Sequence, residues 1–341
     1  MNTREKFLHT GSAHDGQPDR SNVAIVVIGR NEGQRLLDCL ASLGPQVART
    51  VYVDSGSADG STVAARCMNA HVVDLDMAQP FTAARARNAG YRAAIARWPA
   101  LQFVQFVDGD CMMDPGWIDH ALHLMQTRPD VAIVFGRRRE RHPERSVYNA
   151  LCDAEWSGHA GDVSECGGDA FVRAQAFSEV GAYRSSLIAG EEPELCVRLR
   201  AKGWTIWRLD CSMTLHDANI TTIRQWWRRN KRAGHAFAEV SALHWRSSHG
   251  IWKRKLLRAL FWGGALPIVA LVGGLVHISA LALFALYPLQ IARIAAREGY
   301  GRAGWRTGIF SVLGKFAEFH GAATWFANRL LGRHQGLIEY K

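Results

Sequence analysis

From Ala259 to Ala292 the chain carries no Lys, Arg, Asp or Glu, and Leu, Ala, Val and Ile fill most of the stretch. A bilayer-crossing helix needs about 20 apolar residues, so this run is too long for one upright helix and marginal for two full ones. A tight hairpin fits it, with Gly273-Gly274 near its centre. Both flanks are basic, with Lys253, Arg254, Lys255 and Arg258 before the run and Arg293, Arg297, Arg302 and Arg306 after it. Positive charge at both ends puts both ends in the cytoplasm, which a single crossing would violate. The alternative is a buried helix pair in a soluble core, but such a pair normally carries a polar stripe and this run has none. Between Gly308 and Leu331 apolar residues mix with Lys315, Glu318, His320 and Arg329, the pattern of an amphipathic helix lying on an interface. Residues 246–341 are therefore read as a membrane-associated helical region with a hydrophobic hairpin at 259–292.

The remaining charge agrees with that reading. Lys and Arg exceed Asp and Glu by 41 to 31, and the excess gathers in Arg228-Arg229-Asn230-Lys231-Arg232 and in the segment from Lys253 to Arg258. Clustered basic charge fits an anionic partner, either nucleic acid or a phospholipid face. The adjoining apolar run selects the membrane, with no nucleic acid as partner. Residues 1–21 form a polar tail without the apolar core of a signal peptide, so the first domain is expected to stay cytoplasmic, at the cell inner membrane. The seven cysteines are scattered and form no C-x-x-C pair, which points to reduced thiols and against a disulfide framework or a structural zinc site.

Upstream, short β-branched or aromatic runs (Val23 to Ile28, Thr50 to Asp54, Ala70 to Asp74, Gln102 to Asp108, Val131 to Phe135) alternate with helical patterns such as Leu36, Leu40, Leu43 and Ile118, Leu122, Met125. Such alternation predicts an α/β domain over 22–245, with a mostly parallel sheet and helices on both faces. Its halves are 22–135 and 148–220. Ligands of such sheets bind beyond the carboxyl ends of the strands. Asn31-Glu32 follow the first strand, Asp54-Ser55 end the second, and Asp108-Gly109-Asp110 end the fourth. Pro193 and Gly203 mark the start and stop of a helix over 193–202, which sets Glu191 and Glu192 at its N-terminus.

In an extended D-x-D the carboxylates alternate in direction, so one can bind a divalent cation while the other contacts a ribose or a metal-bound water. Surface loops produce many such triplets, but placement after a strand as apolar as 102–107 makes this one informative. Glu191 and Glu192 alone read as helix-dipole partners. Downstream of a D-x-D, one of them is a candidate general base.

Five signatures occur in order across residues 22 to about 235: Val-Val-Ile-Gly-Arg-Asn-Glu at 26–32, Val-Asp-Ser-Gly-Ser-Ala-Asp-Gly-Ser at 53–61, Ala-Arg-Ala-Arg-Asn-Ala-Gly at 84–90, Asp-Gly-Asp at 108–110, and Glu-Glu-Pro-Glu-Leu-Cys-Val-Arg-Leu at 191–199. Together they resemble a family 2 glycosyltransferase of the GT-A fold. The resemblance implies a nucleotide-sugar donor held by Asn31, Glu32, Asp54, Arg85 or Arg87, and Asp108, with Gly168 and Asp169 in the loop beside donor sugar and acceptor. It also implies Mg²⁺ or Mn²⁺ on Asp110, assisted by Asp108, with His216 as a further ligand, and inverting transfer with Glu192 as base and Glu191 as its rival.

Two departures qualify the resemblance. The second strand ends Asp54-Ser55 where Asp-Asp is common, and the acid pair is Glu-Glu rather than Glu-Asp. Gln225-Trp226-Trp227-Arg228-Arg229 is similar to the Gln-x-x-Arg-Trp motif of processive synthases but has Arg229 in place of the final Trp. That difference and the short hairpin argue against processivity. The expected acceptor is lipid-linked or a polysaccharide. A sugar nucleotidyltransferase would need a glycine- and lysine-rich phosphate loop after the first strand, and Gly29-Arg30-Asn31-Glu32 is a poor one. A non-enzymatic membrane- or nucleic-acid-binding protein would leave the carboxylates at the strand ends without a purpose.

Overall fold

The computed structural model describes residues 19–333; most of the polar tail expected at 1–21 lies outside them. The chain alternates from β1 (Val23–Gly29) through α1 (Gln34–Ser42), β2 (Thr50–Asp54), α2 (Ser61–Cys67), β3 (His71–Asp74) and α3 (Ala83–Arg97) to β4 (Phe103–Asp108). Next come β5 (Cys111–Met113), α4 (Trp117–Thr127), β6 (Val131–Glu140), α5 (Val147–Glu155), β7 (Gly161–Asp162), β8 (Ala170–Arg173), α6 (Ala174–Glu179), α7 (Glu191–Ala201) and β9 (Thr205–His216). The nine strands form one sheet in the order β3-β2-β1-β4-β8-β6-β9-β5, with β7 against β9.

From β3 to β4 the sheet is parallel, and the register sets Gly29 opposite Asp54 and Ile28 opposite Asp108. The residues that follow these strands therefore open on one edge. Beyond β4 the sheet is mixed: β8 runs antiparallel to β4 and β6, while β9 pairs with β6 in parallel and with β5 in antiparallel. Side-chain alternation splits the core. Val26, Val53, Val104 and Phe106 pack beneath α3, α6 and α7, whereas Ile25, Val27, Tyr52 and Val107 meet Leu36, Leu40 and Trp117 on the other face.

Two element boundaries differ from expectation. Strand β6 continues past Phe135 to Glu140, through Gly136-Arg137-Arg138-Arg139, where the apolar pattern stops. Register shifts against β9 carry this polar half. Helix α7 starts at Glu191 rather than Pro193, so both acids lie in its first turn.

The C-terminal helices are α8 (Ile223–Leu243), α9 (Lys253–Leu260), α10 (Leu266–Val276), α11 (Leu286–Arg297) and α12 (Arg302–Leu330). A π-turn over Phe261–Ala265 joins α9 to α10, and a 3₁₀ segment over Ile278–Ala285 leads into α11. Lys253–Val276 and Ile278–Arg297 are each long and apolar enough to cross a membrane by length and composition. The hairpin turns at His277 and not at Gly273-Gly274, which remain helical. A methyl group on Gly273 would stand 2.9 Å from Ala280 Cβ, and one on Gly274 would stand 2.7 Å from Leu281 Cδ2. The glycines thus serve close packing of the returning segment. Helix α12 begins before the expected Gly308 and lies along α8, where Trp226 and Tyr148 meet Phe310 edge to face.

Candidate active site

The carboxyl edge of the parallel strands opens into a cavity of about 1130 Å³. Gly29 to Glu32 line one end, Asp108, Asp110, Gly168, Glu191 and Glu192 the middle, and Trp226, Arg229, Phe310, Lys315 and Glu318 the far end. Asn31, left-handed at φ 54°, donates its amide to Ser57 Oγ and accepts from the Ala58 amide, which ties the loops after β1 and β2 together. Glu32 pairs with Arg35 at 2.6 Å at the start of α1.

Arg87 is the hub of the site. It is 3% exposed, and its guanidinium reaches Asp108 Oδ1 at 2.7 Å, Glu191 Oε1 at 2.8 Å and Glu192 Oε1 at 2.7 Å. Burial opposes its charge, yet Glu192, Asp108 and Glu191 together hold it protonated, well above its ordinary value. Glu192 responds in the opposite sense. Burial pushes its carboxyl up to about 7, Glu191 adds to the rise, and Arg87 opposes it. A methyl group on Gly168 would lie 2.7 Å from Arg87 Nη2, 3.1 Å from Asp108 Oδ2 and 3.2 Å from Glu192 Oε1. At Gly168, therefore, only a bare backbone fits against the ends of the Arg87, Asp108 and Glu192 side chains.

The sheet itself joins Asp110 to His216. Cys111 of β5 pairs with His216 of β9, and the Asp217 amide donates to the Asp110 carbonyl at 3.1 Å. His216 Nε2 then faces Asp110 Oδ2 at 3.4 Å. Burial, helped by Arg138, lowers the imidazole to about 4, so it is neutral and its lone pair can bind a cation. Its buried Nδ1 makes no hydrogen bond and faces Glu140 Oε2 at 4.0 Å, the side on which carboxylates orient ligating histidines. Cys111 lies within reach of both, but burial raises its thiol well above the usual value, and a protonated sulfur suits a hard cation poorly. Asp110 and His216, with Asp108 beside them, fit Mg²⁺ or Mn²⁺.

Several expected residues do not line the cavity. Asp54 is turned into its own loop, where it accepts from Tyr52 Oη and the amides of Gly56 and Ser57. Arg85 is spent on the carbonyls of Asp76, Gln79 and Pro80. Asp169 lies underneath, bonded to the Asp108 amide, Thr214 Oγ1 and Arg138. Arg138 was not legible in the sequence, because arginines after an apolar strand read as solvated. Here it is largely buried, 2.7 Å from Asp169, 3.5 Å from Asp108 and stacked over Trp156. Glu194, the third acid of α7, is structural. Against the cost of burial, hydrogen bonds from His244 and Arg198 hold its carboxyl at about 2.

Residues 24–160 match the family profile described as glycosyl transferase family 2. The pre-mycofactocin glycosyltransferase of Mycobacterium tuberculosis is 27% identical over 295 residues, covering 81% of this chain; the chain spans 58% of that relative's length. Among solved structures, the mannosyltransferase PcManGT of Pyrobaculum calidifontis, in complex with GDP-Man and Mn²⁺, is 16% identical with a TM-score of 0.60, over 89% of this chain and 87% of its own. S. aureus TarS 1-349 is 13% identical with a TM-score of 0.51, over 92% of each chain. These two structural likenesses establish a shared GT-A-like fold with a mixed sheet. Profile and fold point the same way: residues 24–160 are similar to glycosyl transferase family 2, and the α/β domain that contains them has a GT-A-like fold.

Proposed function

We propose that the chain is an inverting glycosyltransferase that moves a sugar from a nucleotide-diphosphate sugar to a lipid-linked or polysaccharide acceptor at the cytoplasmic face of the cell inner membrane. The observation that carries the reading is that Asp108, Asp110, His216 and Glu192 line one cavity, with Asp108 and Glu192 both close against Gly168. The loop after β1, with Asn31 and Glu32, is the expected seat of the nucleotide. Asp110 and His216, with Asp108 assisting, would hold a divalent cation, which would supply positive charge to stabilise a diphosphate leaving group. Arg138 adds fixed positive charge beside Asp108.

In the same cavity, Glu192 takes the proton from the acceptor hydroxyl as the hydroxyl oxygen attacks the anomeric carbon from the face opposite the departing diphosphate. A carboxyl poised near 7 is well matched to that task at neutral pH. Arg87 keeps Glu192, Glu191 and Asp108 in register. Membrane attachment rests on the apolar hairpin and its basic flanks, and a lipid-linked acceptor follows from it. The test is a panel of nucleotide-sugars screened against the detergent-purified chain for thermal stabilisation with Mn²⁺ and with EDTA. One donor should raise the melting temperature only when the cation is present; no donor doing so, or equal stabilisation in EDTA, would contradict the reading.

A further inference from the structure

The contacts around the hairpin point to its depth. Helix α12 acts as a crossbar. Along its first half Gly304 and Gly308 face Ala295 and Ile291 of α11, and along its second half Ala322 and Trp325 cluster with Leu256 of α9. At mid-length Phe316 meets Tyr287, while Lys315 and Phe319 press on Gly263 and Gly264. Helices α9 and α11 thus follow opposite halves of α12, and the chain between them leaves the crossbar as a separate hairpin. Its base is pinned where Tyr287 Oη donates to the Trp262 carbonyl at 2.7 Å. Phe261, Trp262, Phe284 and Tyr287 form an aromatic collar there, the composition found at headgroup level in membrane proteins.

From Trp262 to Val276 the helix rises about 20 Å at 1.5 Å per residue, well short of the roughly 30 Å hydrocarbon core. Beyond the collar the surface is apolar and open: Val269 is 57% exposed, and Leu275 and Val276 are each 87% exposed. At the tip His277 Nδ1 and Ser279 Oγ lie 2.6 Å apart and satisfy each other. Arg254, Arg258, Arg293, Arg297 and Arg302 are all exposed on the crossbar helices, where they can meet anionic headgroups.

We propose that residues 262–287 dip into one leaflet of an anionic phospholipid bilayer and return without crossing it, while α9, α11 and α12 lie in the headgroup layer. This rests on the membrane attachment proposed above. Thr307, Phe310, Ser311, Lys315 and Glu318 of the same α12 line the active-site cavity, so its far end would open at headgroup depth, where a lipid-linked acceptor presents its polar end.

The test uses the full chain in phosphatidylglycerol-containing vesicles, with exposed Cys67 and half-buried Cys211 changed to Ser and a single cysteine introduced as Val276→Cys or, independently, Ile278→Cys. A membrane-impermeant maleimide should label neither tip position from either side of the bilayer. A fluorophore attached there in detergent before reconstitution should be quenched most by nitroxides near the ends of the acyl chains. Labelling from the side opposite the α/β domain would mean that the hairpin crosses, overturning the one-leaflet depth and leaving membrane attachment standing. Labelling from the same side, with no quenching, would overturn the membrane reading as well.

Discussion

Glu191 and Glu192 are adjacent, both buried and both paired with Arg87, yet their surroundings assign them different work. Glu192 lines the cavity beside Gly168 with a carboxyl raised to about 7. Since a base must be deprotonated to accept a proton, transfer should fall about tenfold per pH unit below that value and level off above it. A pH profile of single-turnover transfer checks the sign; a rate that rises on acidification excludes Glu192 as base. Glu192→Gln should slow transfer by about 10²–10⁴-fold with donor affinity little changed, whereas Glu191→Gln should act mainly through the Arg87 network, and the reverse pattern would exchange the two roles. Gly168→Ala tests that arrangement. Its methyl group would press on the ends of Arg87, Asp108 and Glu192, so folding should survive while transfer drops at least tenfold; full activity would show that transfer does not depend on the positions of these three side chains. The carboxylates could be read from the sequence because strand ends and helix starts announce themselves. Arg138 could not, because its burial depends on register shifts beside it in the pairing with β9, a strand distant in sequence.

At the scale of elements, the crossing of α8 and α12 depends on backbone contact. A Cβ on Gly234 would collide with the Glu318 backbone, and one on Gly321 with Lys231. Gly234→Val should therefore destabilise the chain by about 1–3 kcal/mol through overpacking, read as a lowered thermal midpoint in detergent, whereas an unchanged midpoint would mean that the helices are not in contact there. Periodicity predicted the first four strands and helices α1 and α4; β1, β2 and β4 are apolar runs buried on both faces, whereas β3 is partly exposed at the sheet edge. It failed where packing rather than pattern sets the outcome. Gly273-Gly274 look like a turn but are helical, because what they provide is close approach to Ala280 and Leu281. The polar half of β6 likewise looks like a loop until β9, distant in sequence, pairs with it.

For the whole molecule, one cavity joins the strand ends to α8 and α12, so the α/β domain and the C-terminal helices share its lining. The strongest claim made for that site is cation-assisted transfer through Asp110 and His216. It is tested most directly by release of nucleoside diphosphate from the matching nucleotide-sugar, measured for the wild-type chain and Asp110→Asn, each with Mn²⁺ and with excess EDTA. The account predicts release by the wild-type chain with Mn²⁺ alone, and loss of release in EDTA and in Asp110→Asn without loss of fold. Equal release in all four conditions would contradict it.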